Sequence, residues 1–339
     1  IVQLVAKGVQ DKYLTENPQV SMFISNYKRH TNFAISTKNE VIQGNVINGG
    51  VSTVKMSRKG DLISHVYLVA SRADRSASAT PSSTEWMDII DKVELLIGGQ
   101  VVDTHTSEFN KRLAVDLLAK NLSESDLGSH NVNFYPLRFS FFEDAINALP
   151  LVALQYHDVD IRITWGSNVG TYAYDLYADY INLDVDEREY FISNTHMMMM
   201  TQVQRAPPSR RTMQEMIFNH PVKCIVIPNS TSSSFFNTSN KVKFQINGSD
   251  MEDYKFVVPH FTSIQSNYYA PFAAGNTDSY FLMSFGMNTS RTQPNGSLNF
   301  SRIDSMTMHS TENIENNVYA INYNILKIES GMGGLLFSD

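Results

Sequence analysis

An all-β fold built from two similar antiparallel sandwiches is what the sequence predicts, and three observations carry that expectation. Short runs alternate apolar and polar residues, turn residues interrupt them, and one strand-and-turn design occurs twice. The alternation is clear in residues 51–57, 63–69 and 159–165, the period-two mark of strands with one buried face. Turn signals stand at Asn48-Gly49-Gly50, Gly60-Asp61, Gly98-Gly99, Asn247-Gly248 and Asn295-Gly296. Connections of such irregular length do not suit a parallel α/β sheet.

The repeat is the strongest internal signal. Residues 92–100 (KVELLIGGQ) and 241–249 (KVKFQINGS) lie 149 positions apart, and each is a strand running into a two-residue hairpin turn. A second pair, residues 157–163 and 302–308, follows in the same order with matching alternation and acidic placement. Two ordered pairs at nearly one offset predict a duplicated β domain.

Helical periodicity is confined to residues 107–120, where Phe109, Leu113, Leu117 and Leu118 share a face and Thr106 or Ser107 caps the start. A second short helix is expected around His260 to Gln265. Residues 180–191 read as one long acidic and aromatic strand. After it comes the run HMMMMTQVQRAPPSRR, residues 196–211, taken as the connection between domains because Pro207-Pro208 cannot donate to a sheet ladder. Its four methionines read as an apolar strand or linker packing at the domain junction, since a continuous run does not converge as a thioether metal site. This places a first domain at 21–195 and a second at 212–339.

Composition narrows the function classes. At 339 residues the chain suits two domains of ordinary size, and 42% hydrophobic residues suffice for real cores. The charged fraction, 18%, lies below the usual ~25%, which suits large contacts with other subunits and equally suits an extracellular protein. A net charge of −7 argues against direct nucleic acid binding, which needs clustered Lys and Arg. Cys224 is the sole cysteine and sits in an apolar run, so it reads as a small buried hydrophobe in a chain without a disulfide framework. No stretch approaches the ~18 apolar residues of a membrane span, and a soluble chain is expected. The chain opens on Ile1 and not Met, so an initiating segment ahead of it is expected.

Catalytic signatures are missing from the sequence. His157-Asp158-Val159-Asp160 is the best local metal candidate, yet neighbours on a strand face opposite sides and cannot chelate together. No His-x-His, His-Glu-x-x-His, Gly-x-Ser-x-Gly, phosphate loop or calcium loop occurs. The acidic cluster at 184–189, interrupted by Arg188, reads as a salt-bridged strand end. No enzyme, cofactor or metal is therefore expected. Asn-x-Ser/Thr sequons occur at Asn121, Asn229, Asn237, Asn247, Asn288, Asn295 and Asn299, with Asn229, Asn237, Asn288 and Asn295 kept as candidate glycan acceptors. Arg205, Arg210 and Arg211 are candidate contacts to a neighbouring subunit.

Eight ordered segments resemble one family. They are residues 3–19, 27–34, 60–63, 93–100, 149–157, 218–221, 297–304 and 322–334, and together they resemble the major capsid proteins of large icosahedral double-stranded DNA viruses, those of algae and the iridoviruses. The resemblance implies a double jelly roll, two eight-stranded sandwiches in tandem behind an N-terminal arm at 1–20. It also implies homotrimers of pseudo-hexagonal outline that tile an icosahedral shell, because three copies of a duplicated fold present six similar units. Minor capsid and penton proteins would be partners, the arm would face an internal membrane, and assembly would take place in host cytoplasm. The chain is short for the family, with the deficit placed at 226–241 and 268–280. The rival reading is a secreted or surface carbohydrate-binding β-sandwich, prompted by the sequons and by the aromatic loop at 267–272.

Overall fold

The computed structural model describes residues 2–25, 27–118, 134–170, 172–229, 233–270 and 280–338. Sixteen strands make the framework. In the first half they are β1 Phe33–Glu40, β2 Val51–Lys55, β3 Leu62–Arg72, β4 Ile90–Ile97, β5 Gln100–Thr106, β6 Tyr135–Pro136, β7 Val159–Trp165 and β8 Tyr172–Leu183. In the second half they are β9 His196–Ala206, β10 Met213–Glu215, β11 Pro221–Pro228, β12 Lys241–Ile246, β13 Ser249–Asp250, β14 Tyr280–Ser284, β15 Met306–Ser310 and β16 Val318–Glu329. Short strands at Gln43–Gly44, Leu149–Pro150, Lys255–Phe256, Leu298–Asn299 and Met332–Leu335 extend these sheets.

Four sheets result, and their orders repeat. The first sandwich pairs β1-β8-β3-β6 with β2-β7-β4-β5, and the second pairs β9-β16-β11-β14 with β10-β15-β12-β13. Adding eight to each label of the first sandwich reproduces the second. Each half is thus an eight-stranded antiparallel jelly roll, and the duplication seen in the sequence is a duplication of topology. Register agrees as well: Ile97 on β4 faces Val159 on β7, and Ile246 on β12 faces Met306 on β15. Both repeated hairpins turn through left-handed residues, Gly98 and Gly99 in one and Asn247 and Gly248 in the other, the backbone that a two-residue turn between twisted strands demands.

Local chemistry accounts for the exceptions to strand. Ser82 and Glu85 form a reciprocal capping box for the helix Ser83–Ile89, α1, which drives Trp86 into the first core with no exposure. The helical segment after β5 is broken in two, Ser107–Arg112 (α2) and Ala114–Leu118 (α3), with Thr106 accepting from the Phe109 N–H at its start. Residues 119–120 lie outside the described residues. Between β13 and β14 the chain coils through Val257–Ile264 and Gln265–Tyr269, so the helix expected at 260–265 is present and longer.

Two expectations are corrected. Residues 180–191 are not one strand: Asp184 accepts from the Val185 N–H and opens the helix Val185–Ser193, α4, whose first turn carries Asp186 and Glu187. Acidic residues at a helix N-terminus favour that outcome. Arg188 of the acidic cluster reaches across to the buried Asp61 carboxylate at 2.8 Å. Residues 196–211 are likewise not a plain connection, because 196–206 form β9 and pair along their whole length with β16. The unbroken ladder to β16 prevails over the breaking effect of Pro207-Pro208, which lie just beyond the strand.

Residues 1–32 form a compact unit of their own, apart from 33–339. Among its described residues, that unit holds one 3-10 turn, Val2–Val5, and one α turn, Lys12–Thr15. Among the described residues no helix is long and apolar enough to cross a membrane.

Asn240 organises the second roll. Fully buried, it donates from Nδ2 to the Phe235 carbonyl at 2.7 Å, while its Oδ1 accepts from the Ser310 and Thr311 hydroxyls at 2.9 and 2.8 Å. The Thr311 and Glu312 N–H groups also point at that oxygen. Each buried polar group left without a partner costs ~1–3 kcal/mol, so Asn240→Ala is expected to lower the thermal midpoint clearly. Asn237→Ala, at an exposed position three residues away, is expected to leave it nearly unchanged, and circular dichroism melts of the two variants check the difference.

Candidate functional site: the junction between the two rolls

A jelly roll normally buries one face of each sheet, but β11 is buried from Val222 to Pro228 without interruption. A continuous apolar strand implies cover on both sides. One side, with Val222, Ile225 and Ile227, lines the core of the second roll. The other side, with Cys224 and Val226 joined by Leu282, Tyr319 and Ile321, meets Phe109, Leu113 and Leu117 of α2 and α3 from the first roll. These three residues recur at i, i+4 and i+8, so one helical face lies across the sheet. Phe109 and Tyr319 pack with their rings tilted by 47° and their centroids 5.5 Å apart.

Polar groups rim this contact, and several are paired across it. Glu108 accepts from the Asn317 amide at 2.7 Å and the Tyr319 hydroxyl at 2.9 Å, and Tyr319 also shares a hydrogen bond with Thr106 at 2.8 Å. Asp103 accepts from the Val203 N–H at 3.0 Å and holds His105 at 2.9 Å. Lys223, 1% exposed, donates to the Thr289 and Arg291 carbonyls at 2.6 Å each. Beside it a cavity of about 20 Å³, lined in part by Arg138, Glu143 and Lys223, has room for one water.

Farther along the strands the two cores merge. Met200 of β9 and Leu326 and Ile328 of β16 belong to the buried cluster of the first roll, with Met198 and Leu335 packed at its edge. The methionine run thus does fill the junction as an apolar strand. Gly333 passes so close that a Cβ there would stand 2.6 Å from Leu154 and 3.3 Å from Ile97. The Tyr156 N–H donates to the Gly331 carbonyl at 2.9 Å across the same approach.

Burial at the junction displaces several titrations. It pushes the Cys224 thiol up to about 12, which keeps it protonated and unreactive. It lowers the Lys111 ammonium to about 7, with Arg138 adding repulsion. Asp116, on α3, is raised to about 6 by burial, and the nearby Arg138 offsets part of that rise. Among the described residues no group of three or more His, Cys, Asp or Glu side chains is placed to hold a metal ion.

Comparison with known proteins identifies this architecture. Residues 21–184 match the family model described as the major capsid protein N-terminus, and residues 226–334 match that of the large eukaryotic DNA virus major capsid protein. A major capsid protein of Pyramimonas orientalis virus is 31% identical, with 100% of this chain and 99% of that protein covered. The chain belongs to this capsid protein family. A second relative, the major capsid protein of Paramecium bursaria Chlorella virus 1, is 28% identical over 99% of both chains. The solved structure of VP54 from PBCV-1 superposes with a TM-score of 0.76 at 25% identity, covering 94% of this chain and 100% of that one. The alignment to the Pyramimonas virus protein runs to 396 positions against 339 residues here, so that relative carries insertions. Relatives of this kind are structural capsid proteins, and the chain is a structural subunit and not an enzyme.

In this capsid protein the residues singled out from the sequence do not converge on one site. Arg205, Arg210 and Arg211 are exposed, with Arg205 donating to Asn317 at 3.1 Å. Asn237 is exposed, whereas Asn288 and Asn295 are tied together, the Asn295 amide donating to the Asn288 carbonyl at 2.8 Å. Asn229 is partly buried, and its carbonyl accepts from Arg112 at 2.7 Å. Asn121 lies outside the described residues. Asp158 of the metal candidate bridges to Lys55, while His157 meets the Gly333 carbonyl at 2.8 Å. The residues that do assemble the junction were half visible: the periodicity of 107–118 marked an apolar face without naming what it covers.

Asp116 gives a measurable handle on the junction. Above pH 6 the folded protein carries its buried carboxylate at a cost, bounded by the shift at about 3 kcal/mol. Below pH 3.8 neither folded nor unfolded chains are ionised there, and the cost disappears. Asp116→Asn, which mimics the neutral form, is expected to raise the melting temperature at pH 7.5 and to lose that advantage near pH 4. Melts at the two pH values check it.

Proposed function

We propose that three copies of this chain form a pseudo-hexagonal capsomer that tiles an icosahedral virus shell, without catalysis or a required cofactor. One observation carries the reading: the second roll repeats the first strand for strand, so a threefold assembly presents six similar units around its axis. A flat lattice of hexagonal outline then needs one kind of trimer contact instead of six. The relatives named above, capsid proteins by description, support it.

The N-terminal unit fits an inward-facing arm. Leu4, Val5, Tyr13, Leu14, Met22 and Phe23 are 77% to 98% exposed, a density of open apolar groups that calls for cover by a partner. Minor capsid and penton proteins, or an internal membrane, are the partners proposed for it. Assembly in the host cytoplasm agrees with the lone unpaired cysteine. The exposed Arg205, Arg210 and Arg211 are proposed subunit contacts, and of the four glycan candidates Asn237 presents the most open side chain. The N-terminal arm and two tandem rolls remain the proposed domain division, with the second roll opening at β9, His196–Ala206.

Sedimentation of the purified protein is expected to give a species near three times the 38.2 kDa chain mass, with threefold hexagonal particles in negative stain. A stable monomer that binds glycans would instead favour a carbohydrate-binding sandwich. Removing residues 1–18 is expected to leave trimers intact and to impair shell assembly; normal shells from the truncated protein would remove the arm from the proposal.

A further inference from the structure

The covered face of the second roll has an uncovered equivalent on the first. Counted from the last residue of β1 and of β9, the strand registers place Tyr177 where Tyr319 stands and Tyr67 where Val226 stands. In the second roll that position lies beneath α2 and α3. In the first roll the outer face of β8 and β3 carries Tyr67 stacked on Tyr177 at 5.9 Å, with Phe134 edge-on to Tyr67 at 5.8 Å and Val69 and Asp175 beside them, and no helix among the described residues seated on it; Tyr67, Tyr177, Val69 and Asp175 remain partly exposed. Its upper rim opens into a groove of about 570 Å³ lined by Asn39, Arg75, Tyr172 and Asp175.

The covering element is duplicated too. In the first roll it is the helical segment between the fifth and sixth strands, and in the second roll the same connection holds Val257–Ile264 and Gln265–Tyr269. Phe261 and Val257 anchor that segment to its own core. Ile264 and Tyr268, spaced i and i+4, remain 42% and 73% exposed, an apolar pair on one helical face. Each chain therefore has one helical segment already seated on a sheet, one sheet face without such a seat-mate among the described residues, and one helical segment with a free apolar edge.

We propose that the segment 257–269 of one copy docks on the Tyr67–Tyr177 face of a second copy, repeating between chains the contact that α2 and α3 make within the chain. This rests on the capsomer reading and names its interface. The contact is head-to-tail, so it closes only as a ring or runs on as a filament. With an interchain step that copies the intrachain one, the six rolls of three chains are bound by a single kind of contact.

Cross-linking tests it. Cys224 is fully buried and silent towards thiol reagents, so the variant Tyr177→Cys/Tyr268→Cys carries two reactive positions. A short bismaleimide is expected to give denaturing-gel bands at two and three chain masses and none above, while Tyr177→Cys and Tyr268→Cys singly give only monomers. Trimers by sedimentation that yield no such ladder would overturn the assigned contact and leave the capsomer reading standing. A protein that sediments as a monomer would overturn both. As a second measurement, Ile264→Asp is expected to shift the protein from trimer to folded monomer with an unchanged circular dichroism spectrum; retained trimers would count against the contact.

Discussion

The structure depends on one constraint: the sheet β9-β16-β11-β14 must be covered on both faces. Its strands are too apolar to leave either side in water, and a single roll supplies cover for only one. Packing α2 and α3 onto the outer side removes Cys224, Val226, Tyr319 and Ile321 from solvent at the same time as Phe109, Leu113 and Leu117. Burial of apolar surface stabilises by roughly 25 cal/mol per Å², so the rolls are held together by the same effect that builds each core. The two halves are consequently one body, not beads on a linker.

The polar groups around this contact serve a different end. Glu108, Asp103 and Lys223 are expensive to bury, and pairing them at best offsets their lost hydration. What the pairing supplies is orientation: Glu108 must find Asn317 and Tyr319 together, and Lys223 must find two carbonyls. A helix that slid by one turn on the sheet would keep much of its apolar contact and strand these groups. Their arrangement fixes the angle between rolls, and that angle is inherited by any larger assembly built from the chain.

How much of this was legible in the sequence follows from the range of the forces involved. Local patterns told the truth about local structure: the alternation at 159–165, the Gly98-Gly99 and Asn247-Gly248 turns and the helical stripe at 107–118 all reappear. The capping box at Ser82 and Glu85 was equally visible and simply passed over. Residues 180–191 misled because Asp184 sits inside an otherwise strand-like run, and its cap outweighs the pattern. The run at 196–211 misled because its proline pair follows a strand and does not break it, and the partner strand of that run lies far away in sequence. Long-range facts could not be had from one chain of letters. Nothing local marks Asn240 as the fivefold hydrogen-bonding centre of the second roll, or assigns the stripe at 107–118 to a sheet more than a hundred residues away.

The merging of the cores bears on how the protein comes into being. Met200, Leu326 and Ile328 complete the packing of the first roll, yet Leu326 and Ile328 belong to the last long strand. During synthesis the first roll leaves the ribosome well before those side chains exist, and domains usually fold as they emerge. Here the earlier roll has to wait with part of its interior open until the later one is made. Completion of translation and completion of the fold are thereby coupled, and a nascent chain cannot offer finished surfaces to its neighbours ahead of time.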